Sequence, residues 1–302
     1  MPTQSILVFL VDSEKSLENL SLTLKRMKQI ICLLLICHSI TSCDVPKKKK
    51  KSEVAFHTVH KKEPVPPQKK YRLRKYQHVK TFYNGMSKKA TKICLDNNIP
   101  PASLLAITGL ESGWDSGYIG QITGNILSLG TRRGDTELPG LRLPRNIKTK
   151  KIVYDSLEIL KYSKNELNWE DRPESLKKDY RPKPWAGTSY NLAYFKYNIK
   201  AKSKAHIENI RDFVSVFIAR KSRIKAYRET RRKMDSLVEK YGKTVLLQEQ
   251  TAIDFTHGIG GKINSYNFRK TWPKKVIYII KNAGLIDLTL QLHKGKSFKE
   301  SW

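Results

Sequence analysis

A short apolar helix that ends on a carboxylate constrains this chain more than any other feature. Pro100-Pro101 opens the helix, because proline suits the first helical turn. Leu104, Leu105, Ile107, Thr108 and Leu110 turn it inward, and Gly113 stops it. Glu111 therefore stands near the helix C-terminus. The negative end of the backbone dipole and the apolar surroundings both disfavour its ionised form, so its pKa is expected to rise. A carboxylic acid kept protonated near neutral pH can deliver a proton to the leaving oxygen of a glycosidic bond. Ser112-Gly113 lets the chain turn sharply behind the carboxyl, and Trp114 offers a flat apolar face on which a sugar ring can stack.

The chain around this segment has 302 residues, of which 39% are hydrophobic, enough to bury a core. Lys and Arg total 58 against 27 Asp and Glu, a net charge of +31. The excess runs from Lys47–Lys51 to the C-terminus, so it is not one basic tail. A surface this basic suits an anionic partner: nucleic acid, acidic lipid headgroups or an anionic cell-wall polymer.

Residues 27–43, MKQIICLLLICHSITSC, read as an export signal. Lys28 supplies the positive start, and Ile30 to Ile36 form an apolar core far shorter than the roughly 20 residues of a membrane span. The ending Ile40-Thr41-Ser42-Cys43 resembles a lipobox, which implies cleavage before Cys43 and diacylation of its thiol. Residues 1–26, with Asp12, Glu14 and Glu18, fit a misassigned upstream start, with Met27 as the true first residue. Residues 27–42 are then the signal peptide. Cys32, Cys37 and Cys43 suit neither a disulfide framework nor a zinc site, and Cys94 is expected as a small buried thiol. Residues 43–70, with Lys47–Lys51 and Pro46, Pro64, Pro66 and Pro67, form a basic, Pro-rich linker that follows the lipid anchor. Export argues against a nucleic-acid partner.

From Tyr71 the pattern changes. Val79, Phe82, Tyr83, Met86, Ala90, Ile93 and Cys94 recur at three- and four-residue steps, and Asn97-Asn98 ends that helix. Residues 115–150 suggest loops and a hairpin. Helical periodicity resumes over Tyr154–Leu167 and in Ile207, Ile210, Val214, Phe217 and Ile218. Further helices are expected over 224–241, 244–256 and 273–283, the last closed by Gly284. Residues 168–200 read as a long ordered loop. The expected architecture is mainly α, an α+β arrangement with a small β-hairpin element around a substrate cleft. The domain spans 71–290, with a tail over 291–302.

Leu110-Glu111-Ser112-Gly113-Trp114 resembles the glucosaminidase domain of glycoside hydrolase family 73, in which an apolar helix ends in the same five residues. Asn125-Ile126-Leu127-Ser128-Leu129-Gly130 stands where the family has a segment like Asn-Leu-Phe-Gly-Ile. Phe195-Lys196-Tyr197 is similar to its Phe-Arg-x-Tyr element, and His206 to Phe217 and Lys274 to Leu285 resemble later helices. The resemblance implies a lysozyme-like fold and an endo-β-N-acetylglucosaminidase acting on peptidoglycan, with Glu111 as general acid and no cofactor or metal. It points to Trp114, Asn125, Tyr197 and Tyr266 as substrate-binding residues. The family's active-site Tyr falls near Gly258, where this chain has Ile259; Tyr266 stands in from a shifted position. Asp115 replaces a common Gly. Glu137 is the candidate second carboxylate, with Asp135 and Asp115 as alternatives. Trp169, Trp185 and Trp272 suit either a glycan groove or structural anchoring. His57 and His60 have no ligand partners for a metal. The expected protein is a monomer at the bacterial cell envelope, anchored to a membrane through Cys43, with peptidoglycan as partner. Two other readings are a lytic transglycosylase on the same fold and a non-catalytic wall-binding lipoprotein.

The export reading has a direct test. Labelled palmitate is expected to enter the wild type and not Cys43→Ala, and equal labelling of the two would refute lipidation at Cys43.

Overall fold

The computed structural model describes residues 71–302. The export signal, Cys43 and the linker lie outside the described residues. After a short 3₁₀ turn at Arg72–Lys75, α1 runs over Gln77–Asp96. Val79, Phe82, Tyr83, Met86, Ala90 and Cys94 share its buried face, as their spacing requires, and Ile93 packs half-buried against the same core. The helix stops at Asn97, and Asn98 takes a left-handed conformation.

Helix α2, Pro101–Ser112, begins with a proline in its first turn and ends at Gly113 with φ 59°. Ten of its twelve residues are buried, so it is the centre of the domain rather than a surface helix. Helix α1 packs on it, and so do three later helices: α8 (Glu249–Ile259), α9 (Trp272–Ala283) and α10 (Leu285–His293), of which α10 also packs on α1.

After α2 the chain forms short elements: α3 (Tyr118–Thr123), β1 (Leu141–Asn146), α4 (Ser156–Ile159) and β2 (Leu167–Arg172). Strands β1 and β2 pair antiparallel, from Leu141 opposite Arg172 to Asn146 opposite Leu167. Ile122, Leu138, Leu141 and Leu143 form a small second core beneath them. The domain is therefore mainly helical with one small hairpin. The long helix suggested over Tyr154–Leu167 is absent: only the single turn of α4 and a 3₁₀ turn at Lys164–Glu166 form. Leu157 and Leu160 are 60% and 80% exposed, so these two leucines have nothing to pack against among the described residues. The chain goes straight into β2 through a capping box at Ser163 and Glu166.

The loop expected over 168–200 thus begins with a strand and ends with α5 (Tyr194–Tyr197) and the start of α6 (Ile199–Asp212). Its middle is held by a fully buried ion pair, Arg181 to Asp179 at 2.7 Å. Arg181 also donates to the carbonyls of Thr188 and Tyr190, and Asp179 accepts from the Gly187 amide. Both charges are therefore well hydrogen-bonded, the condition for keeping them out of water. Helix α6 continues as a π-helical turn, Phe213–Phe217, and is followed by α7 (Lys225–Tyr241).

The C-terminus departs from expectation. Residues 291–302 are not a tail: α10 continues to His293, and α11 (Phe298–Ser301) folds back onto the body. Trp302 stacks on Phe298 and packs against Tyr83. Arg74 lies over Trp302 and donates to the carbonyls of Ala283, Gly284 and Ser301. The guanidinium satisfies helix-end carbonyls that would otherwise lack donors, and this ties both ends of the domain together. Truncating this half-buried ring by Trp302→Ala is expected to cost about 2 kcal/mol. For a domain this size that lowers Tm by roughly 4–8 °C, measured by thermal melting; an unchanged Tm would mean that the C-terminus is not part of the folded unit.

Candidate active site

The turn after α2 fixes the direction of three side chains. Gly113, Trp114 and Asp115 all have left-handed φ values, 59°, 53° and 65°. For Trp and Asp that conformation is strained, and it persists because the surroundings hold it. The Trp114 amide bonds the Gly109 carbonyl, and Ser112 Oγ accepts from the Asp115 amide while donating to the Thr108 carbonyl. The result is that Glu111 and the pair Trp114–Asp115 meet different neighbours.

Glu111 is half-buried. Its Oε1 accepts from the indole N–H of Trp272 at 2.8 Å. Trp272 opens α9 and is only 3% exposed, so the donor is held rigidly. It lies over Gly260: a Cβ there would come within 2.3 Å of the ring, so any larger residue would displace the donor. Tyr266 packs beside Trp272 with ring centroids 5.4 Å apart, and its hydroxyl donates to the Leu127 carbonyl. Lys177 donates to the Ser128 carbonyl at 2.8 Å, close enough to Glu111 for each to feel the other's charge.

These contacts pull the Glu111 pKa in opposite directions. Burial is the largest effect and pushes it above the usual carboxylate range. The Trp272 N–H, then Lys177 and Arg269, favour the ionised form and pull it back. Burial also lowers the pKa of Lys177, against the pull of Glu111. Together they make a carboxyl that retains its proton to higher pH than a solvated one, yet has a donor and two cations to steady the carboxylate once the proton leaves.

The other residues singled out in the sequence are placed as follows. Tyr266 belongs to the Glu111 group, whereas Ile259 is fully buried and its carbonyl accepts the Tyr266 amide. Trp114 turns towards α1: its N–H donates to the Tyr83 hydroxyl, and its ring meets His78 edge-on. Asn125 is buried and not available to a substrate. Its amide nitrogen donates to the Leu129 and Lys178 carbonyls, and its oxygen accepts from the Leu129 amide and from Asn209. All its hydrogen-bonding capacity is spent on holding the 125–129 loop, which corrects its assignment to substrate binding. Tyr197 is 58% exposed and donates to Asp155, the cap of α4, beside Lys196. It forms a cluster separate from the Glu111 group. Glu137 stands opposite Lys178 in a bridge and accepts from the Thr131 hydroxyl. Asp135 is paired with Lys178, and Asp115 with Lys202. Trp169 is largely exposed on β2, and Trp185 anchors its loop by stacking on Tyr194. Lys177 and Arg269 have no distinguishing local pattern in a chain this rich in basic residues, so the sequence does not mark them.

No family model and no curated protein matches the chain. Among solved structures, the catalytic domain of the autolysin Auto from Listeria monocytogenes matches with a TM-score of 0.36 at 16% identity, over 74% of this chain and 98% of that one.

The raised pKa of Glu111 has a thermodynamic consequence. A carboxyl that binds its proton more tightly when folded than when unfolded stabilises the fold at low pH and loses that contribution as pH rises through the folded pKa. Glu111→Gln removes the burden while its amide oxygen still accepts from Trp272. At pH 7 the variant is expected to melt above the wild type, and the gap is expected to close as pH falls through the raised pKa. A Tm difference that is flat between pH 7 and pH 4 would show that the carboxyl titrates normally.

Proposed function

We propose that this chain is a glycoside hydrolase that cleaves the glycan strands of peptidoglycan as an endo-β-N-acetylglucosaminidase, with Glu111 as general acid. The observation that carries the reading is the Glu111 carboxyl itself. It is half-buried, raised in pKa and held by the Trp272 N–H, in the one segment that closely resembles family 73. Protonated Glu111 delivers its proton to the leaving glycosidic oxygen. The carboxylate that results is steadied by Trp272, Lys177 and Arg269, so charge develops where donors are already oriented. Glu137, with only the Thr131 hydroxyl as side-chain partner among the described contacts, is proposed as the carboxylate that activates water. The reading places the protein at the bacterial cell envelope, tethered through Cys43. There the net charge, +31 for the whole sequence and +30 once residues 1–42 are removed, favours an anionic wall.

The test is mass analysis of soluble fragments from purified peptidoglycan. Wild type is expected to release fragments ending in reducing N-acetylglucosamine. Glu111→Gln is expected to lose about 10²–10⁴-fold in rate, the usual contribution of a positioned acid. Because the acid must be protonated, wild-type cleavage is expected to fall as pH rises through the raised Glu111 pKa. Anhydro sugar ends would favour a lytic transglycosylase. No fragments from the wild type would favour a wall-binding lipoprotein.

A further inference from the structure

A groove of about 560 Å³ runs between α1 and α6, away from the Glu111–Trp272 pair. Its floor is apolar, with Phe82 and Met86 from α1 and the strained Trp114 at one end. At that end are two buried polar atoms with no hydrogen-bond partner among the described residues, Asp115 Oδ1 and His206 Nε2. They stand 3.8 Å apart, too far to bond each other directly. The other oxygen of Asp115 is held by Lys202, so Oδ1 is the free acceptor. Burial lowers the His206 pKa to about 4, against the pull of Asp115, so at neutral pH the ring is an uncharged imidazole with one N–H.

A group that satisfies both atoms must accept from one and donate to the other at a single point. A hydroxyl does this: an oxygen about 2.8 Å from each fits a 3.8 Å gap. The groove volume is within the range of small-ligand sites, about 300–1,000 Å³. Its composition calls for a ligand with an apolar face beside a hydroxyl, which is the surface of a pyranose ring. Gly85 also lines the groove, and a Cβ there would meet no atom of the described residues within 4 Å. A helix-interior glycine is costly relative to alanine, and here packing does not require it, so its effect is to leave the groove open.

We propose that this groove is a second saccharide-binding site, in which a pyranose hydroxyl bridges Asp115 Oδ1 and His206 Nε2 while the ring lies against Trp114, Phe82 and Met86. The site shares its ligand class with the cleavage reading but does not involve Glu111. It would hold a glycan strand to the domain independently of the bond being cut.

The test uses the full-length Glu111→Gln chain with chitotetraose as probe. The imidazole nitrogen resonances of His206, followed by NMR with labelled histidine, are expected to shift on addition of the probe. Gly85→Leu fills the groove and is expected to abolish that shift, with Tm unchanged or higher. His206→Ala is expected to weaken binding about 3- to 10-fold, the loss of one uncharged hydrogen bond. If chitotetraose binds while His206 stays unperturbed, or if Gly85→Leu leaves the His206 shift intact, the groove proposal is overturned and the cleavage reading stands. If chitotetraose does not bind at millimolar concentration, the gap holds water only and the proposal is likewise overturned, whatever the wild type does to peptidoglycan.

Discussion

Burial of α2 on nearly every side is the constraint on which the rest of this domain depends. A helix with ten of twelve residues out of water cannot lie on a surface; it needs helices around it. Helix α1 supplies one wall, and α8, α9 and α10 supply the others. The C-terminal end of the helix is where a polar group first reaches the outside, since its N-terminal residues are all buried. Glu111 is one residue from the C-terminal end, so it is neither solvated nor entombed. Its raised pKa and its access to a partner both follow from that intermediate depth.

What surrounds the carboxyl is a balance of opposed effects. Burial alone would keep the proton on; the Trp272 N–H and the charges of Lys177 and Arg269 act to release it. A general acid needs both, because it must hold its proton in the resting state and let go in the transition state. The donor is placed by packing at a distance. Trp272 can approach only because Gly260 has no side chain, and Tyr266 braces the indole from the other side.

The three left-handed residues after α2 divide the molecule's polar equipment. They leave Glu111 facing α9 and send Trp114 and Asp115 towards α1 and α6. One strained turn thus serves two places. Similar economy appears in Asn125 and Asn209, whose buried amides join the 125–129 loop to α6 and leave Leu127 and Ser128 carbonyls available to Tyr266 and Lys177.

Local patterns determined much of this in advance. The period of Val79 to Cys94, the prolines before α2 and the glycines at 113 and 284 act within a few residues, so α1, α2 and the end of α9 were legible. So was the environment of Glu111, since a helix end is known once its stop signal is known. Other features depended on partners far along the chain. The apolar period at Tyr154–Leu167 did not become a long helix because Leu157 and Leu160 stay exposed, and residues 291–302 became structure because Arg74 and Tyr83 receive Trp302. Asn125 looked like a binding residue until burial consumed its hydrogen bonds. Lys177 and Trp272 reach Glu111 from 66 and 161 residues away in sequence. Sequence alone decided which segments could be helices and which carboxyl would be perturbed, because those follow from nearest-neighbour chemistry. Only the tertiary structure decided what stands beside that carboxyl, because hydrogen bonds and desolvation depend on distance in space, not on position along the chain.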